Sequence, residues 1–81
     1  MSEFEKKKLE FEFNKFARMN FEKPRNCRNI DQTRFYIHEL SNKIEEMESV
    51  HGYVPETAYT LLAQYNKVQN QFVYEHFKNT Y

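Results

Sequence analysis

The chain has one glycine, two prolines, one cysteine and no tryptophan in 81 residues. A single glycine leaves nowhere to build a phosphate-cradling loop or the strained elbow that exposes a nucleophile, so Cys27, Ser41, Ser49 and Thr60 lack the frame that nucleophilic catalysis needs. One cysteine cannot close an intramolecular disulfide, and no apolar run is long enough for a secretory leader or a membrane span. A reducing cytoplasm is the expected setting. Gly and Pro together number three, which disfavours a loop-rich or β-sandwich fold. Strong charge of one sign is missing too, because 12 basic residues balance 12 acidic ones.

The remaining chemistry is sparse. His38, His51 and His76, with Cys27, are the soft or borderline metal ligands, and their spacing matches no known ligand pair. Glu45, Glu46 and Glu48 crowd together as a solvated helix face does, not as an acid/base pair. No catalytic residue, metal or cofactor is therefore expected. A non-enzymatic protein is the reading.

What is present is hydrophobic patterning: 40% apolar and 30% charged residues suit a folded chain, and the length allows one domain, residues 1–81. Ile30, Ile37, Leu40, Ile44, Met47 and Val54 recur at steps of three, four and seven, a helical stripe with a heptad flavour. Ala58, Leu61, Tyr65, Val68 and Phe72 repeat that spacing, widened on one side by Leu62, Val73 and Phe77. Between the stripes lies His51–Pro55. There Gly52 suits a left-handed helix end and Pro55 a first helical turn, although Val54 is a poor N-cap. The spacing predicts an all-α fold: a long antiparallel helical hairpin over about 30–79 that turns at 51–55, with an additional N-terminal helix.

That N-terminal helix is predicted over about 3–19. Ser2 and Glu5 have the spacing of a capping box, and Leu9, Phe13, Phe16 and Ala17 form a helical face. Lys6 with Glu10 and Lys8 with Glu12 are helical i,i+4 pairs. The alternation of Leu9, Phe11 and Phe13 with Glu10 and Glu12 would also fit a strand, so helix and strand compete here. Phe4, Phe13 and Phe16 are expected to pack over the hairpin. Residues 20–29 contain Pro24 and little apolar periodicity and should form a basic loop. Asn29 or Asp31 should cap the next helix. Residues 1–35 carry nine basic and six acidic residues, a net +3, and residues 36–81 carry the balancing −3.

Eight Phe and six Tyr exceed what so small a core can hide. Phe11, Phe21, Tyr36, Tyr53, Tyr59 and Tyr74 lie off the stripes or in loops. Exposed aromatic residues on a small helical scaffold point to protein binding, with Tyr59, Leu62, Val73, Tyr74 and Phe77 as the candidate binding residues. The leading expectation is an adaptor or inhibitor that binds another protein through helix faces. An alternative is RNA or single-stranded nucleic-acid binding by Lys23, Arg25, Arg28 and Arg34, with Phe21 stacking on a base. Neutral net charge weighs against that alternative.

The spacing of Ile37, Leu40, Ile44, Met47, Gly52, Leu62, Tyr65, Val68 and Phe72 resembles the helical hairpins of the sporulation aspartyl-phosphate phosphatases. Those carry Ser-Gln-Glu-Leu-Asp on the second helix, where this chain reads Leu62, Ala63, Gln64, Tyr65, Asn66. The resemblance thus implies a shared hairpin packing and no phosphatase activity. The run Val68, Gln69, Phe72, Val73 is similar to phage cyclic-nucleotide sponges, which would imply a nucleotide-binding sponge, but His38 stands where they carry a basic residue. In size and in Lys, Asn, Phe and Tyr richness the chain resembles small early proteins of lytic phages, which implies a regulator of a host factor.

Self-association is the last expectation. Leu62, Val73 and Phe77 stand on a flank that the first hairpin helix cannot also reach. Either the N-terminal helix or a second copy must cover it, and a homodimer is the expected answer.

Overall fold

The computed structural model describes residues 2–80; Met1 and Tyr81, included in the single-domain reading, lie outside the described residues. The architecture is all-α, with helices α1 (Glu3–Asn20), α2 (Ile30–His51) and α3 (Glu56–Thr80), a short 3-10 turn at Pro24–Asn26 and no strand among the described residues. The helix reading of the N-terminal segment prevails over the strand because Leu9 and Phe13, one turn apart, are buried together, while Phe11 between them is 65% exposed.

Each boundary has a local cause. The Ser2 side chain accepts the Glu5 N–H at 3.2 Å, and Glu3 and Glu5 complement the N-terminal end of the helix dipole. Asn29 caps α2 by accepting the Gln32 N–H at 2.8 Å, while the Gln32 side chain accepts the Arg28 N–H at 2.8 Å. Gly52 ends α2 at φ 63°, its N–H donating to the Glu48 carbonyl at 2.9 Å. α3 begins at Glu56, one residue later than expected. Pro55 stays outside it, is buried, and offers its carbonyl to the Ala58 N–H at 3.0 Å.

α2 and α3 form the predicted antiparallel hairpin, and α1 lies along one face of it, antiparallel to α2. Three contacts fix that register. Tyr53 in the turn donates to Glu10 at 3.0 Å, the Lys43 ammonium sits 4.9 Å from the Phe16 ring centre, and the Phe21 and Tyr36 rings are 5.3 Å apart. The core between the three helices holds Leu9, Phe13, Tyr36, Leu40, Met47, Val54, Ala58 and Tyr65. The fully buried polar residue Thr33 gives its hydroxyl hydrogen to the Asn29 carbonyl at 3.0 Å, which removes the cost of hiding it.

Two packing expectations are corrected. Tyr36 is buried in place of lying off the stripe, because its ring joins Phe21 and Tyr65 while its hydroxyl accepts from the Gln32 side chain at 3.3 Å. Phe4 is 76% exposed in place of packing on the hairpin. It stands five residues before Leu9, about 140° round the helix from the buried face.

Candidate protein-interaction face

A two-helix hairpin has two broad faces, and α1 occupies one. The neighbours of α1 on α3 are Thr57, Thr60, Leu61 and Gln64, which line a groove with Phe11, Phe13, Asn14, Ala17 and Arg18. At about 100° per residue, Leu62, Asn66, Gln69 and Val73 lie on average about 160° round α3 from those four neighbours and form the opposite flank, with Tyr59 and Phe77 at its edge. The same geometry on α2 puts Lys43 and Tyr36 towards α1 and Ile30, Ile37 and Ile44 on the far side. On this second face Ile37, Ile44 and Leu62 pack inward against the core while their outer edges stay accessible.

Its chemistry is that of an interface centre. Ile30, Ile37, Ile44, Leu62 and Val73 are half-buried, Tyr59 is 51% exposed and Phe77 56% exposed. From Tyr59 to Phe77 that flank of α3 carries apolar, tyrosyl and amide side chains and no charge, and depletion of charge marks the centre of protein interfaces. At the open end of the hairpin Ile30, Arg34, Phe72, Val73, Glu75 and His76 border a shallow groove, so charge returns at that end of the face. Beyond Tyr65 no residue of α3 up to Lys78 is buried. α1, at 18 residues, ends beside Tyr36 and leaves the far end of the 22- and 25-residue hairpin helices two helices thick.

Four of the five candidate binding residues therefore share one face: Tyr59, Leu62, Val73 and Phe77. Tyr74, 68% exposed, stands a further ridge round, on the outer side of α3. Ile37 and Ile44 pack against the core, as their spacing predicts, and their outer edges, with Ile30, extend the face onto α2. Their seven-residue recurrence, offset from Leu40 and Met47, was the available signal. Phe4 and Phe11 are also exposed on α1, Phe11 at the mouth of its groove with α3.

The candidate nucleic-acid residues do not converge in the same way. Lys23, Arg25, Arg28 and Arg34 are exposed, but the Phe21 ring is engaged by Phe16, Tyr36 and Tyr65 at 5.5, 5.3 and 6.2 Å between centres. The loop itself is tied down: the Tyr65 hydroxyl donates to the Glu22 carbonyl, and burial, followed by the neighbouring Cys27, Tyr36 and Glu22, pushes that phenol far above its usual range. Arg34 sits on α2 at the edge of the bare hairpin face, apart from the loop. Near the turn, partial burial and then Glu10, which accepts its hydrogen bond, push the Tyr53 phenol up.

Among the described residues no three His, Cys, Asp or Glu side chains converge as a metal site requires, and no helix is long and apolar enough to cross a membrane. No protein-family model, curated protein or solved structure matches the chain.

Proposed function

We propose that this chain is a small non-enzymatic protein-binding module, an adaptor or inhibitor in kind, that works through the hairpin face opposite α1. The observation that carries the reading is the placement of α1 on the Leu61–Gln64 flank, which leaves the outer edges of the half-buried Ile37, Ile44, Leu62 and Val73 on a surface two helices wide. Helix faces of this kind pair with other helices by inserting side chains of one between those of the other. A partner with an apolar helical surface and few charges fits that description.

The test compares cross-linked partners of the wild-type chain with those of Leu62→Arg, which keeps its helices if the face is free. The reading predicts that captured protein is lost in Leu62→Arg and kept in Phe11→Ser on the other side of the molecule. Capture that survives Leu62→Arg, or nucleic acid as the sole co-purifying species, would overturn it.

A further inference from the structure

On α2 the bare face carries more than isoleucines. Arg34, Ser41 and Glu48 recur every seven residues, interleaved with Ile30, Ile37 and Ile44, so the six side chains form a seam with alternating steps of four and three. That is the spacing by which one helix packs along another. The seam is also self-complementary. Arg34 stands seven residues before Ser41 and Glu48 seven residues after it, each about 10 Å from Ser41 along the axis. A helix turned end for end about Ser41 therefore places Arg34 beside Glu48 of its mate, and Glu48 beside the mate's Arg34.

We infer that a second copy of this chain closes the bare face, with the two α2 helices antiparallel about a two-fold axis at Ser41. The inference rests on the reading of that face as a docking surface and names its occupant. Ser41, half-buried and small, lets the two helices approach at the axis. Ile37 of each copy falls level with position 45 of the other, beside its Ile44. Arg34 and Glu48 are both exposed and take part in neither of the ion pairs of the described residues, Lys6–Glu3 and Lys43–Glu46. Both are available to the mate.

The same axis stacks α3 on its mate near Leu62, because Ser41 and Leu62 lie at similar heights in an antiparallel hairpin whose turn is at 51–55. The area suffices. A face about 27 Å long, from Ile30 to Glu48, and two helices across at about 10 Å per helix covers roughly 500 Å² per copy, and about 1,000 Å² in total is the lower bound for a specific interface. Each α1 stays on the outside, so neither has to move. The result is a four-helix bundle flanked by two further helices, with closed two-fold symmetry.

Charge reversal tests this arrangement with the full chain. Sedimentation equilibrium should find wild type dimeric, and Arg34→Glu and Glu48→Arg alone each weakened roughly tenfold or more, since each confronts like charges twice. Mixing the two single variants should restore a dimer, because every cross pair is then of opposite sign. The doubly reversed chain should dimerise with itself. Circular dichroism should be unchanged throughout, as both residues are exposed. A wild type that stays monomeric, single variants that dimerise like wild type, or a mixture that fails to dimerise would overturn the second copy as occupant. A monomeric wild type that still loses a captured foreign protein on Leu62→Arg would leave the docking face standing and fail only the occupant.

Discussion

The hydroxyl of Tyr65, near the middle of α3, donates a hydrogen bond to the main-chain carbonyl of Glu22, a residue 43 positions earlier in the loop between α1 and α2. One side chain thereby holds the end of α1, the connecting loop and α3 together, beneath the rings of Phe21 and Tyr36. Tyr65→Phe keeps the ring and strands the Glu22 carbonyl. It should cost about 1 kcal/mol in urea unfolding, whereas Tyr74→Phe on the exposed outer side should cost nothing measurable.

The same pair sets an alkaline limit. The phenol of Tyr65 is held neutral in the folded chain, with its ionisation raised from 10.0 by burial, whereas the unfolded phenol ionises at its ordinary value. Its contribution is therefore complete below about pH 10 and is lost as pH rises beyond that. Stability measured from pH 8 to 11.5 should be flat and then decline, and the decline should be shallower in Tyr65→Phe.

Two phenylalanines two residues apart, on opposite sides of α1, should behave oppositely. Phe13 is 2% exposed against the hairpin and Phe11 is 65% exposed. Phe13→Ala should destabilise by about 3–5 kcal/mol and release α1, seen as loss of the Tyr53–Glu10 and Lys43–Phe16 contacts by NMR. Phe11→Ala should stay within about 0.5 kcal/mol of wild type.

Gly52 occupies the left-handed region at φ 63° with open space around it. Gly52→Ala should cost about 1 kcal/mol through backbone strain alone, with no clash to relieve. Thermal melting of this variant against Gly52→Asn, which tolerates that conformation better, separates strain from packing.

Much of the fold was legible in the sequence because its signals are local. Ser2, Asn29 and Gly52 act at their own helix ends, and the spacing of Leu40, Met47, Ala58 and Tyr65 fixes the hairpin. Phe4 was misplaced because aromatic character outweighed its angular position relative to Leu9. Tyr36 and Thr33 were missed because each satisfies its hydroxyl within one helical turn, through Gln32 and the Asn29 carbonyl, so polar residues are buried without long-range partners. The candidate face was half legible. Leu62, Val73 and Phe77 were recognisable as a surplus flank, but stripes alone do not say on which side of a hairpin α1 lies. The contacts of Phe16 with Lys43 and of Tyr53 with Glu10 decide that side, and with it which isoleucines are left bare.

The most direct test of the account is a single cysteine on the proposed axis. In a chain carrying Cys27→Ser and Ser41→Cys, the new thiol should face its own mate, and mild oxidation should convert most of the protein to a covalent dimer. The same background with Lys15→Cys, exposed on α1, should remain largely uncross-linked. Equal rates of cross-linking at the two positions, or none at residue 41, would contradict closure of the bare hairpin face by a second copy.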